Sequence, residues 1–367
     1  MKCPAYQFLY ACLRHDGNAA RSIGKSLQDW EQVLRLATDE RLLPLLHSLT
    51  HELELGPIVC PEVADFLFAV EDLNHERNNH ILSEVKFAAR LLNDVGIQPV
   101  LLKGVAYIMM GVYPNKGARY LVDIDILISE VQLQAAIEVL IRNGFEIDRS
   151  DQFGYFRHHH PPMRRPGYGF IEIHHSLCLG KSASMLPARE VIARSVPFDL
   201  DGVRVRVPRP EDLFTHLVMH SQIQHPYNER IWPPLRALYD LDLVLRCFQD
   251  VIDWNCIEKR FRKAGKYGVL VLHLLQVKES LGVDVPFPVQ VSGLTRLRWF
   301  RRQLLRRLPG LRYADPIYMF STVLVRRLRI LRSMLGKPNG LTHLFKQLLT
   351  GGVYRRFVTD VVEGRGR

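Results

Sequence analysis

The sequence predicts an α+β fold: a mixed-sheet core set between an N-terminal and a C-terminal helical region. Three observations predict it. Apolar residues recur at spacings of three and four through LQDWEQVLRLATDERLLPLLHSLTHEL and again beyond Pro210, the period of amphipathic helices. Between them lie short aliphatic runs, IQPVLLKG, RYLVDIDILI and FIEIHHSL, with the length and composition of buried strands. Along the chain the patterns run helical, then α+β with a mixed sheet, then helical again.

In order along the chain, residues 1–78 read as an N-terminal helical region, with Pro44 placed to open a helix at its first turn. A long helical pattern starts near Glu71 and stops at Gly96. The α+β core is expected over 79–208. IQPVLLKG is a strand ending on Gly104, VAYIMMGVYP a short helix and RYLVDIDILI the next strand. SEVQLQAAIEVLIRNG is a helix capped by Ser129 and ended by Gly144. FEIDRS, FGYFRHHH and FIEIHHSL read as strands, with PPMRRPGYG as a turn. VPFDLDGVRVRVP makes a ribbon around Asp201-Gly202. Residues 209–285 form a helical domain expected to close a cleft, and 286–367 a basic tail.

The chain has 367 residues, 47% of them hydrophobic and 24% charged, an ordinary soluble composition. No apolar run reaches the ~18–20 residues of a membrane span, and the opening residues lack a signal-peptide pattern. Six cysteines are scattered without CxxC spacing, which argues against a disulfide frame or a cysteine zinc site. Together these predict a cytoplasmic protein. The net charge of +11 is local: residues 294–335 hold eleven arginines against Asp315 alone. A polyanion such as RNA or an anionic lipid surface would meet the chain there, and a solvated basic helix face is the plainer reading.

Chemistry concentrates in RYLVDIDILI. Residues i and i+2 of a strand share a face, so Asp123 and Asp125 point the same way while Ile124, Ile126 and Ile128 point the other. Buried carboxylates are costly unless paired, and a divalent cation bound by hard oxygens is one such partner. Glu172 in FIEIHHSL offers a third acid, so the expected metal ligands are Asp123, Asp125 and Glu172. Upstream, Lys103 and Gly104 sit where a strand gives way to a helix, an arrangement suited to a phosphate. Arg119 could meet a phosphate or pair with the aspartates, and His174 shares a strand face with Glu172.

The segment LLKGVAYIMMGVYPNKGARYLVDIDILI, with Glu172-Ile173-His174 after it, resembles the nucleotidyltransferase superfamily typified by DNA polymerase β. More narrowly it resembles a bacterial family of uncharacterised nucleotidyltransferases with an LKG…R…DhDhL core. The helical LRALYDLDLVL followed by Asp253-Trp254 extends the resemblance, which covers about residues 25–280. It implies a polymerase β-like core, with Gly104 as the turn glycine and Asp123 and Asp125 as the metal-binding pair. Glu172 stands at the third acid, and Lys103, Gly104, Arg119 and His174 lie at the nucleotide. It further implies Mg²⁺ or Mn²⁺, two ions, an NTP substrate with ATP expected, and transfer of NMP to a hydroxyl of an unidentified small molecule, protein or RNA. Two positions depart from the pattern: Val105 follows the glycine where Ser or Gly is usual, and Glu172 replaces the narrower family's Asp.

Other groups compete with these. Asp240 is a general-base candidate, against a capping or solvated role; Asp242, two residues on along a helix, points elsewhere. His158, His159 and His160 with His174 and His175 suggest a zinc site or a metal phosphoesterase, but lack a metal-like spacing. His216 and His220 form an i,i+4 pair. Tyr155, Arg157 and Arg164 are weaker phosphate contacts. The alternative function is a catalytically silent nucleotide- or RNA-binding protein that uses the basic C-terminal region.

Overall fold

The computed structural model describes residues 3–113, 115–148, 158–224, 234–284 and 291–308. Two compact units are distinguished: residues 1–228 with 233–298, and residues 229–232 with 299–367. The sheet and the helices up to Leu281 belong to the first unit.

Four helices open the chain: α1 (Pro4–Leu13), α2 (Gly17–Lys25), α3 (Trp30–Asp39) and α4 (Leu43–Glu52). Asp16 and Asp29 cap α2 and α3 by accepting from the amides of Ala19 and Gln32. The long α5 runs Pro61–Asp94, 34 residues, starting ten residues before the sequence pattern suggests because Pro61 sits at its first turn. It crosses the expected division at 78–79, joining the N-terminal helices to the sheet.

That sheet has seven strands in the order β3-β4-β5-β2-β1-β7-β6. The strands are β1 (Val100–Leu101), β2 (Asp123–Leu127), β3 (Glu146–Ile147), β4 (Met163–Arg164), β5 (Phe170–His174), β6 (Val196–Leu200) and β7 (Val203–Val207). Central β2 pairs antiparallel with β1 and parallel with β5, so the sheet is mixed. PPMRRPGYG, expected as a turn, contributes β4, and only the residues after Arg164 turn back into β5. The β6–β7 hairpin turns at Asp201-Gly202, both in the left-handed region (φ 50° and 83°), as a tight two-residue hairpin requires.

Helices α6 (Lys103–Met109) and α7 (Leu133–Arg142) belong to this core. A 3₁₀ turn over Glu130–Gln132 precedes α7, so Ser129 caps that turn and not the α-helix itself. One face of β2 is the aliphatic core: Ile124, Ile126 and Ile128 are buried, joined by Val85, Ala88 and Ala89 of α5 and Ile171 of β5. Val122, just before the strand, is exposed. Asn93 binds α5 to β7 by donating to the Ile97 and Arg204 carbonyls and accepting from the Arg204 amide.

Beyond the sheet come α8 (Ala188–Arg194) and α9 (Pro210–Val218), the latter continued by a π-helical turn, Met219–Gln224. Then follow α10 (Leu235–Phe248), α11 (Trp254–Lys263) and α12 (Tyr267–Leu281), with α10 packed on α9 and α12. Of the arginine-rich stretch, residues beyond 308 lie outside the described part. No helix of the described residues is long and apolar enough to cross a membrane.

Candidate active site

Register decides the site. Parallel pairing sets Asp125 of β2 directly beside Glu172 of β5, and His174 two residues further on the same face. Asp125, Glu172 and His174 each offer a ligand atom, all within 4.8 Å of one another. Asp123 shares the face by the period of two and is half-buried at the strand's entrance. The expectation that β2 carries its acids on one side and its isoleucines on the other therefore describes this strand well.

Asp125 is 1% exposed and meets two donors at one oxygen. Lys103 Nζ lies 2.6 Å from its Oδ1, and His174 Nε2 donates to the same Oδ1 at 2.7 Å. Burial by itself would push the Asp125 carboxyl up. The Lys103 charge and the His174 hydrogen bond outweigh it, holding the carboxyl well below the usual carboxylate range. Asp123 goes the other way: burial, then the neighbouring Asp125 charge, raise it, opposed by Lys103 and Arg236. Lys103 stays charged because Asp125 more than offsets the effect of burial.

Lys103 is the left-handed residue here (φ 48°), at the first position of α6. Gly104, the expected turn glycine, is the second residue of α6. A Cβ there would lie 2.6 Å from Leu121 Cδ2, so its missing side chain is filled from the protein side by the loop entering β2.

Imidazoles crowd the same end of β5. Residues 158–160 lie antiparallel to the end of β5, with a bridge between His159 and His174. The rings of His158, His159 and His174 have centroids 4.8–5.2 Å apart. His159 Nε2 stands 3.9 Å from Glu172 Oε2, and Gln224 Nε2 is 2.6 Å from His158 Nε2. Burial lowers His174 to about 4, His158 to about 2 and His216 to about 3, so these rings are neutral at pH 7. His220 stacks edge-on to His216, at 6.3 Å. Tyr155 and Arg157 lie outside the described residues. Arg164 is on β4 over the Phe170 ring, away from the acids' oxygens.

Arg119, a candidate for a phosphate or for the aspartates, and Asp240, a general-base candidate, form an ion pair with each other. The ion pair is 3.1 Å long and its members are 6% and 4% exposed; Tyr113 Oη donates to Asp240 at 2.7 Å, and Arg119 also donates to the Tyr120 carbonyl. The guanidinium lies 5.6–6.0 Å from the Tyr113 and Tyr107 ring centres. Burial and Asp240 in turn raise both tyrosine hydroxyls. Asp242 pairs with Arg246 instead, as its position on the far side of α10 requires.

Three features escape a reading of the sequence. Asn74, Arg77 and Asn78 of α5 hold the loop leading into β2: Asn74 donates to the Gly117 and Arg119 carbonyls, Asn78 to those of Lys116 and Arg119, and Arg77 to that of Leu121. Buried Glu71 accepts from Ser48 and also binds His47 and Asn115. Arg236, on the first turn of α10, weighs electrostatically on Asp123 and Asp240. The asparagine pair in NHERNNH is the available signal, since amides four apart on one helix face suit a run of backbone carbonyls.

Asp123, Asp125 and Glu172 thus gather around Lys103 across two adjacent strands. Residues 26–282 match the model of a family described as "Uncharacterised nucleotidyltransferase", and the chain belongs to that family. No curated protein matches the sequence. Among solved structures, the chain is similar to an antigenic nucleotidyltransferase-like protein from Paracoccidioides brasiliensis, at 12% identity and a TM-score of 0.36. The match covers 56% of this chain and 94% of that one.

Proposed function

We propose that this protein transfers an NMP unit from an NTP to a hydroxyl group, using a divalent cation held on Asp123, Asp125 and Glu172. The supporting observation is the grouping of Asp125, Glu172 and His174 ligand atoms within 4.8 Å, beside Lys103 and on the sheet face opposite the core. The carboxylate oxygens of Asp123, Asp125 and Glu172 are hard donors of the kind that suit Mg²⁺ or Mn²⁺, while His174 Nε2 is engaged with Asp125. Family membership supports the reaction class.

When bound, such an ion polarises the α-phosphate and lowers the pKa of an acceptor hydroxyl. The remaining work falls to the chain. Asp123, at the entrance of β2, and Glu172, at the more open side of β5, present oxygens while Asp125 anchors from beneath. Lys103 offers its ammonium to the phosphates, and Arg236 faces the same acids from α10. His174 fixes the Asp125 carboxylate by its Nε2–H bond. The acceptor hydroxyl gives up its proton to solvent water, its oxygen forms a bond to the α-phosphorus, the bond to the bridging oxygen breaks, and pyrophosphate departs with that electron pair. Residues 79–208 supply the centre in this scheme, with 1–78 and 209–285 as helical flanks.

Incubation of the full chain with Mg²⁺ and each α-³²P-NTP, with a cell extract as acceptor pool, tests the proposal. The expected result is label in an acceptor together with released pyrophosphate, ATP being the first nucleotide to try. Nucleotide binding with no label transferred from any of the four would reject it.

A further inference from the structure

A carboxylate that bridges two metal ions gives one oxygen to each. Asp125 is the most central acid of the site, and its Oδ1 is already engaged twice. Lys103 Nζ lies 2.6 Å away and His174 Nε2 2.7 Å away. An sp² carboxylate oxygen has two lone pairs in its plane, so two close donors leave Oδ1 none for an ion. Asp125 can still offer Oδ2, to one ion.

Two further observations point the same way. Lys103 adopts a left-handed backbone (φ 48°) that side-chain-bearing residues avoid, directly before a glycine that does not. Such an outlier is strained and persists where the surroundings hold it. Here its consequence is to set the Lys103 ammonium on Asp125, with only 18% of the side chain exposed. Charge balance also fits. Asp123, Asp125 and Glu172 carry three negative charges, which one ammonium and one divalent ion already neutralise; Arg236 adds a further positive charge acting on Asp123, and Arg119 is committed to Asp240.

We propose that Lys103 stands where a second divalent ion would stand, so that the centre binds one ion and its other positive charge is built into the chain. The inference rests on the metal-dependent reading of the site given above, and it changes the ion count expected from the sequence.

Mn²⁺ bound to the full chain, counted by calorimetry and examined by electron paramagnetic resonance with and without a non-transferable α,β-methylene NTP analogue, decides it. The wild-type chain is expected to bind one Mn²⁺ with a mononuclear spectrum in both conditions. Lys103→Met, close in shape and without charge, is expected to admit a second ion and give an exchange-coupled spectrum, whereas Lys103→Arg keeps one. A coupled pair in the wild-type chain overturns this proposal and leaves the nucleotidyl-transfer reading standing. No bound Mn²⁺ in either condition overturns both. Should Lys103→Met fail to fold, the wild-type spectrum and the Lys103→Arg count still decide.

Discussion

Asp125 and Asp240 are both buried aspartates, each beside a cation and a neutral donor, yet they do opposite things. Asp240 meets Arg119 at one oxygen and Tyr113 at the other, one negative charge against one positive, sealed from solvent. Asp125 takes both its donors on one oxygen, and two more acids, Asp123 and Glu172, crowd the same lysine. The first group is balanced and closed. The second gathers three acids around one lysine, and Glu172 at its more open edge is 20% exposed. A closed pair of one charge against one holds elements together; a cluster of acids with an open edge is where the proposed cation would bind.

The widest contrast lies in stability. Arg119→Met strands Asp240 as an unpaired buried charge and is expected to lower folding stability by about 3–5 kcal/mol. Equilibrium urea unfolding measures this, and a loss under about 1 kcal/mol would show that the pair does not hold α10 to the loop before β2. A smaller effect is expected at the clamp. Asn78→Ala leaves the Lys116 carbonyl without its donor and the Arg119 carbonyl with Asn74 alone, and should lower stability by about 1–3 kcal/mol. An unchanged denaturation midpoint would remove Asn78 from the loop's support.

Acidity separates the regions further. A buried imidazole whose folded value is below its ordinary 6.5 supports the fold fully above pH 6.5. That support declines as pH falls towards the folded value, about 3 for His216. The slope is about 1.4 kcal/mol per pH unit for each such group. His216→Gln is therefore expected to flatten the fall of melting temperature between pH 6.5 and 4.5, and parallel curves for the two proteins would contradict that assignment. The smallest effect belongs to the open acids. Glu172→Gln should change stability by less than about 1 kcal/mol without metal while weakening Mn²⁺ binding measurably. A large loss of stability with intact Mn²⁺ affinity would make Glu172 structural and erase the comparison.

How much of this is legible in the sequence depends on range. The strand face of Asp123 and Asp125 is a period-two property and is legible, as is Glu172 on a later strand. That β5 lies beside β2 in the register placing Glu172 next to Asp125 is a long-range fact, which no local pattern carries. The same limit hides the partner of Arg119, 121 residues away on α10. Locally, the arginine before the DID motif reads as a partner for a phosphate or for the aspartates. Gly104 is legible as a special position but its reason is not, because Leu121 fills the space only once the loop folds back. The start of α5 is obscured by a local cause: Pro61 begins a helix as readily as it ends one.

In the proposed reaction the acids on β2 and β5 carry the transfer chemistry, while the Arg119–Asp240 pair carries structure. The most direct test compares Asp123→Asn and Asp125→Asn with the wild-type chain in the Mg²⁺-dependent α-³²P-NTP assay, with folding checked by circular dichroism. The account predicts folded variants whose transfer falls by about 10²–10³-fold or more, the scale of losing an electrostatic contact to a transition state. Folded variants that transfer at the wild-type rate would contradict it.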